Sequence, residues 1–109
     1  MRLGIIVSAA SAVLLALAVP AMASELSNCA YKGNVSGKTA TILVQGGQPV
    51  SYKWGSYKAK NVSMTGNVIS IDQAVIENLK VGATQSGKAA FQGKWQFKGQ
   101  GQDVTFICG

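Results

Sequence analysis

Two cysteines, Cys29 and Cys108, constrain this 109-residue chain more than any other feature, because they are the only two and bracket nearly everything after the first quarter of the sequence. In an oxidising compartment they are expected to pair. A bridge closing a loop of about 80 residues removes at most about 4–5 kcal/mol of unfolded-chain entropy in the loop-closure account. It would tie the first element of the folded domain to the last.

The N-terminal segment supports such a compartment. Met1-Arg2-Leu3 is a short positive region, Ile5 to Val19 is an almost unbroken apolar run, and Ala21-Met22-Ala23 is a small-x-small cleavage signal. In this order they predict a signal peptide over residues 1–23, with cleavage after Ala23. The alternative, a membrane anchor, is disfavoured because the run is short for about 30 Å of hydrocarbon and polar Ser24-Glu25 follows it at once. The expected mature chain is one small β domain, residues 24–109, secreted or periplasmic, with no stable membrane span after cleavage.

Along that domain the chain breaks at Gly and Pro rather than at helix caps. Tyr31 to Val35 reads as a short first strand turned by Ser36-Gly37-Lys38. Thr39 to Gln45 alternates with Ala40, Ile42 and Val44 on one face, the period of a β-strand. After Gly46-Gly47-Gln48-Pro49, the residues Val50, Tyr52 and Trp54 are expected to share an inward face. Asn61 to Ile71 reads as a hairpin turned at Gly66-Asn67, where glycine supplies the positive φ of a type II′ turn. Asp72 to Val81 is open to two readings. It could be a strand with Val75, Leu79 and Val81 on one side and Glu77 out of place, or two turns of helix with Val75, Ile76 and Leu79 at helical spacing.

Gly82 to Lys88 is the longest expected loop. The clearest strand follows, with Ala89, Phe91, Gly93, Trp95 and Phe97 facing a dry side and Lys88, Ala90, Gln92, Lys94, Gln96 and Lys98 a wet one. Val104, Phe106 and Cys108 then place the closing cysteine on the inward face of the last strand. The expected fold is all-β: a small antiparallel meander of six to seven strands, closed by the disulfide into a barrel or compact sandwich, because an open meander leaves two edges free to aggregate. Tyr52, Trp54, Phe91, Trp95, Phe97 and Phe106 are just enough to fill its interior. The Gly93-Lys94-Trp95-Gln96-Phe97 stretch and the order of strand and turn signals resemble the small avidin-like and calycin-like barrels; no ligand-binding residue is implied by that resemblance.

Chemistry is constrained by what the composition lacks. There is no His, both cysteines are committed to the bridge, and the four acids have no metal-ligand spacing, so no metal, cofactor or catalytic set is expected. A Ser51–Lys60 dyad and an Asp72–Glu77 carboxylate pair are the remaining catalytic options, and both are weak. Without residues 1–23 the chain carries nine lysines, no arginine and four acids, a charge of +5. Lysine alone gives diffuse attraction to anionic surfaces rather than the forked recognition that specific nucleic-acid reading uses.

The expected function is a non-catalytic, secreted or periplasmic binding or structural protein with a basic surface for an anionic polysaccharide or envelope surface. The alternative is an inhibitor of a secreted enzyme, a protease or glycosidase, acting through the Gly82–Lys88 loop. Candidate partner-binding residues are Lys53, Tyr57, Lys58, Lys60, Lys88, Lys94 and Lys98. Tyr52 to Lys60, with three aromatics and three lysines in nine residues, is the richest stretch, a possible shelf for a sugar ring or a base.

Overall fold

The computed structural model describes residues 26–109; the expected signal peptide and its cleavage site lie outside the described residues. Nine strands follow in chain order: β1 (Cys29–Val35), β2 (Lys38–Gln45), β3 (Gln48–Trp54), β4 (Tyr57–Lys58), β5 (Val62–Thr65), β6 (Val68–Ile71), β7 (Ala74–Ala83), β8 (Ala89–Phe97) and β9 (Gln100–Cys108). All pairings are antiparallel, and one sheet holds them in the order β4-β3-β2-β1-β9-β8-β7-β6-β5. Nine exceeds the expected six to seven because β4 is too short to leave a period-2 signature and the stretch open to a helical reading supplies β7.

The first and last strands are direct neighbours, with Tyr31 opposite Cys108 and Gly33 opposite Phe106. The Cys29–Cys108 disulfide joins them, with Cα atoms 5.7 Å apart across a sequence separation of 79. Closure is partial. The sheet curls into a half-barrel whose two edges, β4 and β5, are consecutive in sequence, and among the described residues no ladder joins them. The expected full closure and the two-sheet sandwich are both replaced by this single curled sheet.

Two-residue connections make the meander compact. Val35 pairs with Lys38, Gln45 with Gln48, Thr65 with Val68, Ile71 with Ala74 and Phe97 with Gln100 across their turns. Gly66 has φ +60°, the backbone conformation expected of it at this turn. In an up-and-down sheet such turns alternate between ends. Residues 36–37, 55–56, 72–73 and 98–99 therefore gather at one end, the mouth, while 46–47, 66–67, the 84–88 loop and both cysteines gather at the other.

Two bulges change which residues face inward. On β3, Leu43 pairs with Ser51 and Val44 with Pro49, leaving Val50 as the extra residue. Pro49 and Tyr52 are consequently buried and Val50 is 47% exposed, opposite to the inward facing expected for it. On β7, Glu77 pairs with Lys94 and Lys80 with Gln92, so Asn78 and Leu79 together oppose Gly93. Asn78 sits at φ +56°, a left-handed conformation that asparagine tolerates. Gly93 is required there, since a Cβ would lie 2.5 Å from the Ile76 Cγ2 and 2.9 Å from the Glu77 carbonyl oxygen.

The 72–81 stretch is thus strand, not helix: Asp72 and Gln73 form the turn and Ala74–Ala83 is β7. Before the bulge Ala74 and Ile76 face inward, and after it Leu79 does, so Val75 lies on the outer side rather than with Leu79 as the strand reading had it. The bulge also explains the helical spacing: one extra residue puts the inward positions Ile76 and Leu79 three apart. The displaced Leu79 N–H donates to the Asn67 carbonyl at 3.0 Å, so its hydrogen bond is kept.

The core fills the disulfide end. Tyr31 and Phe91 have ring centroids 5.1 Å apart and Phe91 and Phe106 5.2 Å, with Ile42, Val44, Ile69 and Ile76 buried around them. Leu26, ahead of the first strand, is buried and plugs this end. Its segment is fastened by the Tyr31 hydroxyl donating to the Ser27 carbonyl at 2.7 Å and by the Gly47 N–H donating to Asn28 Oδ1 at 3.0 Å. Ala90, assigned to the wet side by alternation, is buried, whereas Phe97 keeps the inward face of Phe91 and Trp95 but is 38% exposed because it stands at the open end.

Candidate functional site

At the mouth the aromatic side chains stop short of filling the interior. Tyr52 from β3 and Trp95 from β8 stack across it with centroids 5.7 Å apart, and together with Trp54 and Phe97 they wall a cavity of about 670 Å³. Val35, Ile71 and Ala74 supply further apolar wall, while Ser36, Tyr57, Lys60, Asn61, Asp72 and Gln73 form its polar rim. The volume falls in the range of pockets that take small molecules, roughly 300–1,000 Å³. The six aromatics expected to fill one interior are therefore divided between a packed end and an open one.

Each wall residue is held by a definite contact. The Trp54 indole N–H donates to the Val35 carbonyl at 2.6 Å, and the Lys38 ammonium sits 4.7 Å over the Trp54 ring. The Lys98 ammonium sits 5.3 Å over Phe97. Tyr52 is only 3% exposed, yet its hydroxyl has no hydrogen-bond partner among the described residues. Burial pushes its ionisation well above the ordinary tyrosine range, and the neighbouring Tyr57 adds to the effect. The Trp95 indole N–H likewise has no acceptor among the described residues.

Asp72 organises the rim. It occupies the β6–β7 turn at φ +51°, and its carboxylate accepts from the Tyr57 hydroxyl, from the Asn61 N–H at 2.9 Å and from the Lys60 N–H at 3.2 Å. These bonds span the unpaired seam, tying β4 and the 59–61 segment to the turn beyond β6. The Tyr57 bond first, and the backbone donors after it, hold the Asp72 carboxyl below the usual range; the same bond raises Tyr57, which stays protonated as the donor.

The structure divides the lysines proposed from the sequence. Tyr57 and Lys60 line the mouth and Lys98 stands on its rim. Lys53 and Lys58 are cross-strand partners on the β3–β4 edge, where like charges discourage another chain from pairing. Lys94 lies on the opposite outer wall, since the inward rings of β3 and β8 meet across the interior, and it pairs with Asp103 at 3.7 Å. Lys88 belongs to the 84–88 loop at the far end. That loop is pinned by the Thr84 N–H donating to the Lys88 carbonyl at 2.8 Å and the Lys88 N–H to Thr84 Oγ1 at 3.1 Å. Of these six lysines only Lys60 and Lys98 stand at the mouth; Lys53, Lys58, Lys88 and Lys94 do not join them in one patch.

The other options separate as well. Ser51 is exposed opposite Leu43 while Lys60 lies at the mouth, and no hydrogen bond joins them. Asp72 is engaged at the rim, whereas Glu77 faces Lys94 across a ladder. Among the described residues no three His, Cys, Asp or Glu side chains come together in a metal-binding group, and no helix is long and apolar enough to cross a membrane. Sequence reasoning overlooked Lys38 and weighed Asp72 only against Glu77. The density of aromatics and lysines in Tyr52 to Lys60 was the signal that did point here. No family model, curated protein or solved structure matches this chain, and the avidin-like and calycin-like resemblance gains no relative from them.

Proposed function

We propose that this is a non-catalytic binding protein of an extracytoplasmic compartment, and that it takes a small, flat, largely apolar molecule in the mouth of its half-barrel. The observation carrying this reading is the cavity of about 670 Å³ walled by Tyr52, Trp54, Trp95 and Phe97, with the buried Tyr52 hydroxyl unpaired among the described residues. A buried hydroxyl without a partner costs roughly 1–3 kcal/mol, and a ligand accepting or donating at that point would recover it. The disulfide supports the compartment, because such bridges persist where thiols are oxidised. A discrete end-on cavity suits a small ligand better than the extended polysaccharide that net charge alone suggests.

The test is a titration with N-phenyl-1-naphthylamine, a neutral planar dye, followed by its emission and by quenching of Trp54 and Trp95. One saturable site per chain is expected. Ala74→Met, which adds bulk to the cavity wall, should weaken it by about tenfold, or 1.4 kcal/mol. No binding, or equal binding by an Ala74→Met protein with a native circular dichroism spectrum, would overturn the reading.

A further inference from the structure

We infer that the mouth selects planar anions: an aromatic ring system bearing one carboxylate, sulfonate or phosphate, with the rings between the aromatic walls and the charged group at the rim. The inference rests on the cavity being a binding site and adds what charge it prefers.

The rim is unbalanced in charge. Lys60 lines it, and the Lys38 and Lys98 ammonium groups lie 4.7 and 5.3 Å over the Trp54 and Phe97 rings that wall the cavity. Attraction to those rings keeps two long, flexible side chains beside the opening rather than spread into solvent. The single carboxylate among these rim groups, Asp72, is already occupied by the Tyr57 hydroxyl and the Lys60 and Asn61 N–H groups, so it offers a cationic ligand little. Tyr52 and Trp95, which wall the cavity, carry a hydroxyl and an N–H with no partner among the described residues, and the N–H can only donate, which favours a ligand that presents acceptors. A neutral molecule would fill the walls but leave the Lys38 and Lys98 ammonium groups without a counter-charge, since the Asp72 carboxylate faces Lys60. An anion uses both levels.

The discriminating pair is 1-anilinonaphthalene-8-sulfonate and N-phenyl-1-naphthylamine, which share the same rings and differ by a sulfonate. Both are titrated into the full domain and into Lys38→Gln/Lys98→Gln, whose changes lie outside the core. The double variant should weaken the sulfonate dye by about fivefold to tenfold and leave the neutral dye within about twofold. Raising salt to about 0.5 M should reproduce that pattern in the native protein, because exposed charges are screened. Unchanged sulfonate affinity in the variant, with the neutral dye still bound, would overturn anion selection and leave the cavity reading standing. Equal losses for both dyes would also overturn it, since the lysines would then act by holding the walls. Failure of the neutral dye to bind the native protein would remove both.

Discussion

The two ends of the half-barrel are built from the same strands and the same kind of inward aromatic residue, yet one is packed and the other open. At the disulfide end Tyr31, Phe91 and Phe106 touch ring to ring, and Leu26 is laid over them by the segment preceding β1. At the mouth Tyr52 and Trp95 stack, but the connections above them are two-residue turns with no large apolar side chain to fold inward. What decides between core and cavity is the covering segment. A chain that can lay a few apolar residues over one end of a curled sheet seals that end; tight turns alone leave it exposed.

The largest effect is expected from breaking the sealed end covalently. Cys29→Ser/Cys108→Ser should lower stability by up to about 4–5 kcal/mol, read from the urea midpoint, and leave so small a domain close to unfolded. A loss under about 1 kcal/mol would mean that β1 and β9 stay paired in the unfolded chain without the bridge.

Next comes a matched pair of aromatic truncations. Phe91→Ala, from a fully buried position, should cost about 3–5 kcal/mol, whereas Trp95→Ala, from a half-buried wall, should cost about 1–3 kcal/mol and weaken dye binding instead. Equal destabilisation by the two would erase the distinction between core and cavity.

The tyrosine hydroxyls give a smaller and sharper contrast. Tyr31→Phe removes a hydrogen bond to Ser27 and should cost about 0.5–1.5 kcal/mol, while Tyr52→Phe removes a buried hydroxyl with no partner among the described residues and should be neutral or stabilising by about 1 kcal/mol. A comparable loss for Tyr52→Phe would show that its hydroxyl is satisfied without ligand.

The smallest effect concerns the rim in acid. Asp72 ionises below its ordinary range in the folded protein, so the unfolded chain takes up its proton at higher pH than the folded one. Its stabilising contribution is complete above about pH 4–5 and is lost as pH falls through the lower folded value. The urea midpoint of Asp72→Asn should therefore fall less than that of the native protein between about pH 5 and pH 3. Parallel falls would mean that the bonds across the seam add nothing.

Much of the architecture was legible because it rests on local chemistry. Period-2 alternation in Thr39–Gln45, Gly-containing turns at Ser36-Gly37, Gly46-Gly47 and Gly66-Asn67, and the cysteine pair each report a backbone or covalent constraint that neighbouring residues carry by themselves. Side-chain facing failed at Val50 and Val75 for one reason: a bulge adds a residue to one strand, and its position follows from the partner strand, as with Gly93 opposite Asn78 and Leu79. The candidate site was legible only as a composition, the aromatics and lysines of Tyr52 to Lys60. Tertiary structure alone brought Trp95 onto Tyr52, Lys38 onto Trp54 and Asp72 onto Tyr57, and left the cavity between them. The sequence by itself determined an all-β meander with its ends bridged, since strand period, turn glycines and cysteine count act at short range or through a covalent bond. Which end of that meander is filled depends on where the sheet curls and what lies over it, and those are contacts between residues tens of positions apart that no local pattern encodes.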